Sequence, residues 1–197
     1  MFFNKELEMV ETHIKKSKFL SWVLRHSPER IGLNLDSHGW AEVDELIRCA
    51  KSKDVDLNRA VIYEIVETDS KGRYELSSDL KRIRAVYGHS ISVDLDLRAK
   101  IPPKILYHGT ASKNVESVLR NGIFPNRRQY VHLSVSYGAA RQVGTRHGNP
   151  VVLEVKSGEM TQDGLELFQV SKEIWLTKMV PVKYIRMEDS ALEGNLD

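Results

Sequence analysis

Two adjacent prolines, Pro102 and Pro103, constrain the fold more than any other feature of the 197-residue sequence. Proline fixes its own φ and lacks a backbone N–H, so such a pair can neither extend a helix nor lie inside a central strand. Apolar residues before the pair recur mainly at helical spacing, whereas strand-like runs dominate after it. Residues 92–100 are therefore interpreted as a linker, and the chain is predicted to form two lobes, 1–98 and 99–197.

The first lobe is predicted to consist of helices followed by a hairpin. The expected elements are, in order, a helix over 6–25, a short strand at 33–36, helices beginning at Ala41 and Leu57, and strands at 74–76 and 83–85 about a turn at 71–73. Three helices and a hairpin are the order of a winged-helix unit. Such a unit commonly binds nucleic acid, although the same fold equally serves protein contacts.

The second lobe is predicted to combine short strands with two helices, which makes the whole chain an α+β protein. The expected elements are strands at 105–107, 130–134, 150–155, 167–169, 174–176 and 184–185, and helices over 111–121 and 136–146. The acidic stretch 188–197 that follows is expected to be frayed.

Composition narrows the function classes. The formal net charge of +2 is too close to balance to indicate nucleic-acid binding by itself. A single cysteine, Cys49, excludes an intramolecular disulfide and any multi-cysteine zinc site. No window approaches the roughly 18 apolar residues of a membrane span. The N-terminus also lacks a basic region followed by an apolar run, so we expect a cytoplasmic protein with no membrane partner.

The segment 82–90 is the strongest candidate for a site in the first lobe. Its alternation places Arg82 and Arg84 on one face of a strand. Gly88 is expected to end that strand in a turn with positive φ, which would leave backbone N–H groups beside His89 and Ser90 for an oxyanion such as phosphate. The alternative interpretation is an exposed basic edge strand that runs into a turn.

Arginine and histidine also stand at the ends of predicted helices. Arg25 and His26 close the first helix, and Arg146 and His147 close the helix predicted over 136–146. A helix C-terminus favours cationic side chains, so each pair has a plain alternative as a basic cap. Functionally, an arginine-rich group is suited to phosphate, because each guanidinium offers a planar fork of donors and keeps its charge.

The run His108-Gly109-Thr110 follows a predicted strand and precedes a predicted helix. Free N–H groups at such a helix start would favour an anion or a pyrophosphate. The alternative is a simple turn in which Thr110 caps the helix. The common P-loop, G-x-G-x-x-G and H-E-x-x-H motifs are missing from the sequence, so the usual nucleotide and metallohydrolase signatures do not apply.

Taken together, these residues resemble the RNA 2′-phosphotransferase family, also called tRNA 2′-phosphotransferase, over residues 17–185. The resemblance rests on six blocks in the same order: Leu24-Arg25-His26 with Pro28; Ile83-Arg84-Ala85 with Gly88-His89-Ser90; Tyr107-His108-Gly109-Thr110; Tyr130-Val131-His132-Leu133-Ser134; Val143-Gly144 with Arg146-His147-Gly148-Asn149-Pro150-Val151-Val152-Leu153; and Ile174-Trp175-Leu176-Thr177. Six ordered blocks are far more specific than any one of them.

The resemblance implies an N-terminal winged-helix lobe that binds RNA. It also implies a C-terminal lobe with the ADP-ribosyltransferase fold, a β-sandwich with helices, that binds NAD. The expected partners are NAD as a co-substrate and an RNA that carries an internal 2′-phosphate, such as a tRNA from splicing. No metal is expected, and we expect a monomer.

The reaction implied by the resemblance has two steps. In the first, the RNA 2′-phosphate attacks the anomeric carbon of the nicotinamide ribose, which expels nicotinamide and leaves ADP-ribose on the phosphate. In the second, the neighbouring ribose 2″-hydroxyl attacks the phosphorus, which releases 2′-hydroxyl RNA and ADP-ribose 1″,2″-cyclic phosphate. The first nucleophile is already an anion, so the residues chiefly need to stabilise charge.

Site residues follow by matching the family's blocks. The catalytic group is expected to be Arg25 as a phosphate clamp, Arg84 and Arg146 as charge stabilisers, and His26 as an orienting or proton-transferring group. The residues expected to bind NAD are His108, Gly109, Thr110, His132 and Ser134, with Gly122 and Ile123 shaping the same pocket.

Two positions depart from the family pattern, in which glutamine is common at Tyr87 and an Asn-Gly pair at Lys172-Glu173. Both positions lie outside the proposed catalytic group, so they bear on substrate contacts more than on the chemistry. Tyr87 could stack on a base or simply pack. Two rival functions remain open. One is an ADP-ribosyltransferase that acts on nucleic-acid ends or protein and stops after the first step, and the other is a non-catalytic winged-helix RNA-binding protein.

Overall fold

The computed structural model describes residues 2–187, with side chains from Val10 onward. These residues form two compact units, one that ends at Asp96 and one that begins at Leu97. Within the described residues there are six α-helices and nine strands, and the strands form two antiparallel sheets. None of the helices in this part of the chain has the length and apolar character needed to cross a bilayer. The stretch 188–197, predicted to be frayed, lies outside the described residues.

The helices and strands are numbered separately, each in chain order. The helices are α1 Phe2–Arg25, α2 Val43–Lys51, α3 Arg59–Glu67, α4 Val115–Asn121, α5 Tyr137–Gly144 and α6 Ser157–Gln162. The strands are β1 Trp40–Glu42, β2 Tyr74–Leu76, β3 Arg82–Ala85, β4 Leu106–Ala111, β5 Val131–Ser134, β6 Pro150–Val155, β7 Phe168–Gln169, β8 Ile174–Thr177 and β9 Ile185–Met187. Helix α6 has no counterpart among the predicted elements.

The first unit packs α1, α2 and α3 around a three-stranded sheet in the order β1-β3-β2. Leu20, Val23 and Leu24 of α1 are fully buried in its core, as the helical spacing predicts. The strand predicted at 33–36 is wrong, because those residues have no regular structure. The strand is β1 instead, which alternates in burial and pairs with β3.

The hairpin of the first unit has the predicted strands but a different turn. Strands β2 and β3 pair antiparallel and are joined by residues 77–81, whereas the predicted turn at 71–73 precedes β2. The Ser77 hydroxyl donates to Asp79 Oδ1 at 2.6 Å, and Leu80 adopts a left-handed φ of 58°. The side-chain hydrogen bond offers the chain a tight turn that needs no glycine.

The second unit contains a six-stranded sheet in the order β7-β8-β5-β4-β6-β9. Strand β4 pairs with β6 at every position from Leu106 to Ala111, but with β5 only between Tyr107 and Ser134. At the centre of this sheet, β4 and β5 are therefore joined through a single register position. The expected sandwich stays a prediction.

Helix α5 packs so closely against β4 that the two backbones are in contact. A Cβ added at Gly109 would lie 1.7 Å from the Ala140 carbonyl oxygen, and one at Gly144 would lie 2.8 Å from the Thr110 carbonyl oxygen. Two glycines, one on each element, therefore permit an approach that a side chain on either would prevent. This contact fixes the strand that carries His108 and Thr110.

Candidate active site

The C-terminal end of α1 is tied to the segment that follows β3. The backbone N–H of Ser90 donates to the Arg25 carbonyl oxygen at 3.0 Å, and His26 Nδ1 lies 2.9 Å from Ser90 Oγ. Gly88 has the predicted positive φ, at 91°, and a Cβ there would lie 3.4 Å from the Arg25 guanidinium. The expectation that the Ser90 N–H is left for an oxyanion is wrong, because that group serves the end of α1.

Arg25 is largely buried although its side chain is charged, and protein groups contact it on several sides. Its side chain is only 9% exposed. Nη1 donates to Ser21 Oγ at 3.1 Å, and Nη2 donates to the Arg73 carbonyl oxygen at 3.5 Å. The guanidinium carbon lies 4.9 Å from the centroid of the Tyr87 ring, a cation–π contact. These contacts orient the guanidinium before any ligand arrives.

Tyr87 is thus a supporting residue for Arg25. Its hydroxyl donates to the Lys71 carbonyl oxygen at 2.9 Å, and the residue is 8% exposed. Burial raises the pKa of the Tyr87 phenol above its ordinary value, and the charge of Arg25 opposes that rise. Of the two interpretations offered for Tyr87, packing is the one observed.

Arg84 is fixed by its neighbours on both sides of β3. In the sheet register it lies opposite Glu75 on β2 and opposite Trp40 on β1. Its Nε donates to Glu75 Oε2 at 2.9 Å, and its Nη2 lies 2.8 Å from the same oxygen in an ion pair. Its guanidinium carbon lies 4.5 Å from the Trp40 ring, and that of Arg82 lies 5.3 Å from it. The prediction that both arginines share one face of the strand is confirmed.

His89 lies among these cationic groups and is 2% exposed. Neither of its ring nitrogens has a hydrogen-bond partner within residues 2–187. Burial, and then the charges of Arg25, His26 and Arg84, lower the pKa of His89 to about 4. The imidazole is therefore neutral near pH 7.

Two histidines link β4 and β5 in the second unit. His108 Nδ1 donates to the His132 carbonyl oxygen at 3.1 Å, and His132 Nδ1 donates to the Tyr130 carbonyl oxygen at 3.1 Å. A carbonyl oxygen only accepts, so in both rings Nδ1 carries the proton. Burial lowers the pKa of His108, the bond to His132 opposes this, and His147 lowers it further. His108 is therefore neutral near pH 7.

Thr110 and Ser134 are both buried, each with 6% of its surface exposed. Thr110 Oγ1 accepts from Asn114 Nδ2 at 3.3 Å. The expectation that residues 108–110 lie at a helix start is wrong, because they are paired within β4 opposite 151–153. Helix α4 begins only at Val115, after a single 3₁₀ turn. A ligand in this part of the unit would therefore contact the side chains of β4 rather than a helix N-terminus.

Gly122 and Ile123 follow α4 and face the core of the second unit. Gly122 has a φ of 93°, and a Cβ there would lie 2.5 Å from the Val180 carbonyl oxygen. Ile123 is 3% exposed, and its backbone exchanges hydrogen bonds of 2.9 Å with Val180 in both directions. The Ile123 side chain thus belongs to the core. That Gly122 and Ile123 shape the ligand pocket stays a prediction.

Arg146 lies in a 3₁₀ turn, Thr145–His147, immediately after α5. It is exposed and makes no hydrogen bond or ion pair with any described residue. It therefore differs from Arg25 and Arg84, which are both anchored. In the described part of the chain, no three His, Cys, Asp or Glu side chains are grouped as a metal site would require.

The arrangement in the first unit is suited to binding a phosphate. It combines two guanidiniums already fixed in place, an exposed histidine bonded to a serine hydroxyl, and a buried neutral imidazole. Sequence reasoning found Arg25, His26 and Arg84 but gave no role to His89, although its place beside Gly88 was a signal. It missed the contacts of Arg84 with Glu75 and Trp40, which depend on strand register.

Comparison with known proteins identifies the family of the chain. The family model described as RNA 2′-phosphotransferase, Tpt1 / KptA family, matches residues 11–179. The chain is 46% identical over 181 residues to the RNA 2′-phosphotransferase of Escherichia coli strain K12, covering 91% of this chain and 96% of that protein. It is 48% identical over 168 residues to a protein of Acaryochloris marina named "Probable RNA 2′-phosphotransferase", covering 85% and 93%. The chain belongs to the RNA 2′-phosphotransferase, Tpt1 / KptA, family.

Proposed function

We propose that this protein removes an internal 2′-phosphate from RNA with NAD as a co-substrate, by ADP-ribosylation of the phosphate and then its transfer to the ribose 2″-hydroxyl. The observation that carries the proposal is that Arg25 and His26, at the end of α1, are hydrogen-bonded to Ser90 in the segment that follows β3. That strand carries Arg84, so three cationic or proton-carrying side chains belong to one small region of the first unit. The names of the relatives support transfer of an RNA 2′-phosphate. A phosphate monoester carries up to two negative charges, which fixed guanidiniums bind without reorganisation.

Arg25 is assigned as the phosphate clamp. It is buried and already bonded to Ser21 and to the Arg73 carbonyl, so little side-chain entropy is lost when an anion binds. Arg84 is assigned to stabilise the charge that spreads over the phosphorus centre in the second step. Arg146 is assigned the same role from its place in the family blocks.

His26 is assigned as the group that moves a proton in the second step. Its ring is exposed, and Nδ1 lies 2.9 Å from Ser90 Oγ, which holds one ring nitrogen in place. In that step the ribose 2″-hydroxyl loses a proton as its oxygen bonds to phosphorus, and the departing RNA 2′-oxygen gains one. An imidazole can accept and donate a proton, so it is suited to both transfers.

The second unit is assigned to hold NAD. Support comes from β4 and β5, which pair at one position. Strand β4 carries the neutral ring of His108 and the buried residue Thr110, and β5 carries the buried residue Ser134. Neutral donors and acceptors of this kind suit ribose hydroxyls and a carboxamide. Gly109 stays in the assigned group, although α5 already accounts for its lack of a side chain.

The fold names implied by the resemblance are part of the same proposal. The element order α1, β1, α2, α3, β2, β3 supports a winged-helix unit for RNA, and the six-stranded sheet supports an ADP-ribosyltransferase-like unit. We likewise propose lobe boundaries at 98 and 99, a monomer, and a tRNA as one RNA that would fit the site.

The test is incubation of the protein with NAD and a short RNA that carries one internal 2′-phosphate. The RNA is followed by gel and the nucleotide products by mass. We expect 2′-hydroxyl RNA together with ADP-ribose 1″,2″-cyclic phosphate, and no conversion without NAD. Accumulation of ADP-ribosylated RNA would favour the one-step transferase, and bound but unchanged RNA would favour the non-catalytic RNA-binding protein.

A further inference from the structure

We propose that Glu75 is a positioning residue that, with Trp40, holds Arg84 in the orientation in which it receives the phosphate. This inference rests on the proposed function, because it assigns Arg84 a phosphate ligand. Glu75 lies on β2, outside every block that carried the family resemblance, and nothing in the sequence marks it among the acidic residues of the chain.

The sheet register brings these residues together. On β3, Arg84 lies between Glu75 of β2 and Trp40 of β1, each directly opposite it. Side chains directly opposite on antiparallel strands share one face and lie close enough to interact. The carboxylate therefore contacts an edge of the guanidinium, while the indole ring lies 4.5 Å from its central carbon.

The hydrogen-bond pattern shows which edge of the guanidinium is used. Nε donates to Glu75 Oε2 at 2.9 Å, and Nη2 makes an ion-pair contact of 2.8 Å with the same oxygen. Nη1 of Arg84 has no hydrogen-bond partner among residues 2–187. A guanidinium has a second donor edge, formed by Nη1 and Nη2, which can hold a phosphate while the first edge stays on a carboxylate.

The neighbouring arginine on the same strand provides a contrast. Arg82 Nη1 lies 3.7 Å from Asp36 Oδ2, and their side chains are 45% and 42% exposed, as in a solvated surface pair. The Arg84 side chain is 19% exposed, and its hydrogen bond and its ion-pair contact with Glu75 are both shorter than 3 Å. One short hydrogen bond, one short ion-pair contact and a ring contact restrict the orientation of Arg84 in a way that a single long contact does not.

A carboxylate beside an anion site has two opposite effects, and the structure indicates which one dominates. Its negative charge repels a phosphate, which would make Glu75 a competitor for Arg84. Its bonds also fix the guanidinium, which lowers the entropy lost on binding. Because Glu75 occupies only the Nε–Nη2 edge, a phosphate can bind without displacing it, so we expect positioning to outweigh repulsion.

The sign of one measurement separates these effects. Dissociation constants are measured for an RNA with one internal 2′-phosphate and for the same RNA with a 2′-hydroxyl, using wild type, Glu75→Ala and Glu75→Gln. We expect Glu75→Ala to weaken binding of the phosphorylated RNA about tenfold and to remove most of its advantage over the hydroxyl RNA. Glu75→Gln keeps an oxygen acceptor for the guanidinium, so it should restore most of the loss.

Two further variants show whether the effect passes through Arg84. Glu67→Ala removes an exposed carboxylate at the end of α3 that has no described ion pair, and it should leave the preference for phosphorylated RNA unchanged. In an Arg84→Ala background, Glu75→Ala should have no additional effect, because the group it positions is gone. Thermal unfolding confirms that each variant is folded.

Each outcome decides the inference. Tighter binding by Glu75→Ala would identify a competitor and overturn it, and so would equal losses in the wild-type and Arg84→Ala backgrounds. Failure of the proposed function is distinguishable, because it would appear as a wild type that never converts 2′-phosphorylated RNA in the presence of NAD. The binding comparison is measured without NAD and does not depend on turnover.

Discussion

The two units of this protein hold their candidate site residues by different means. In the first unit, side chains fix side chains: Tyr87 and Ser21 contact Arg25, and Glu75 bonds to Arg84. In the second unit, β4 is held by backbone contact with α5 through the missing side chain of Gly109. The first unit should therefore be sensitive to the hydrogen bonds and contacts that its side chains make, and the second to any atom added at Gly109.

The arginines show the same contrast. Arg25 and Arg84 are oriented by protein groups, whereas Arg146 is exposed and has no ion pair or hydrogen bond with a described residue. An exposed arginine is ordered only when its ligand binds, so its charge matters more than its shape. An arginine that the fold has already oriented depends also on the planar shape of its guanidinium. Substitutions that keep charge and change shape should separate the two kinds.

The largest effect is expected from Gly109→Ala. The added Cβ would lie 1.7 Å from the Ala140 carbonyl oxygen, so α5 or β4 must shift. We expect the free energy of unfolding to fall by more than about 3 kcal/mol. Urea unfolding followed by tryptophan fluorescence and circular dichroism measures it.

Gly138→Ala is the matched control, because a Cβ at Gly138 meets nothing within 4 Å and the residue is exposed on α5. Alanine is the better helix former, so stability should rise by about 0.5 kcal/mol. Equal destabilisation by both substitutions would show that the contact between α5 and β4 is not what fixes the strand.

The next largest effect is expected from Arg25→Lys. Lysine keeps the charge but cannot reach both Ser21 and the Arg73 carbonyl while it contacts the Tyr87 ring. We expect kcat/KM for NAD-dependent 2′-phosphate removal to fall about 100-fold, against about tenfold for Arg146→Lys. Steady-state kinetics on the phosphorylated RNA measures both, and equal losses would remove the distinction between anchored and unanchored arginines.

His89 should make the stability of the protein depend on pH. Its pKa is about 4 in the folded protein, below its ordinary value of 6.5, so the unfolded chain binds the proton more readily. The stability contributed by a neutral His89 is complete above pH 6.5 and is lost as the pH falls towards 4. By pH 4.5 the loss should be roughly 2.5 kcal/mol.

The measurement is urea unfolding of wild type and His89→Leu from pH 8 to pH 4.5. The variant should lose less stability as the pH falls, and between pH 7.5 and 8 the two slopes should agree because His89 is neutral in both states. Parallel curves over the whole range would show that His89 is not the titrating group. His108, whose pKa is also lowered, contributes equally to both proteins.

The smallest effect is expected from Tyr87→Phe. This change removes the hydrogen bond to the Lys71 carbonyl oxygen and leaves the ring beside Arg25. Stability should fall by about 1 kcal/mol, with kcat/KM within about threefold of wild type. Tyr87→Leu also removes the ring and should raise KM further; identical kinetics for the two variants would show that the ring does not orient Arg25.

Most helices and strands could be predicted from the sequence because their signals are local. The apolar spacing of α1 and the β-branched run of β6 each depend on neighbours within a few residues. The turn at Gly88 was predictable for the same reason, since a glycine after a strand marks a positive φ. Arg25, His26 and Arg84 were assigned by matching the family's blocks, and their place near element ends made them candidates for a phosphate site.

The errors involve pairings between distant residues. Strand β1 has only three residues, and its partner β3 begins 40 residues after it ends, at Arg82. Residues 108–110 were assigned to a helix start because their pairing with β6 cannot be read locally. The contact between Glu75 and Arg84 depends on the register of β2 against β3, which a shift of one residue would destroy.

The bond from the Ser90 N–H to the Arg25 carbonyl has a consequence for biosynthesis. His26 and Ser90 are 64 residues apart, so the first helix emerges from the ribosome long before the partner of its last turn exists. At about 5 to 20 residues per second, that interval is roughly 3 to 13 s. During this time a nascent chain can form α1, but it cannot form the bond that ties the last turn of α1 to the segment after β3. A chain that stops before Ser90 would therefore lack that bond, although it would contain Arg25, His26 and Arg84.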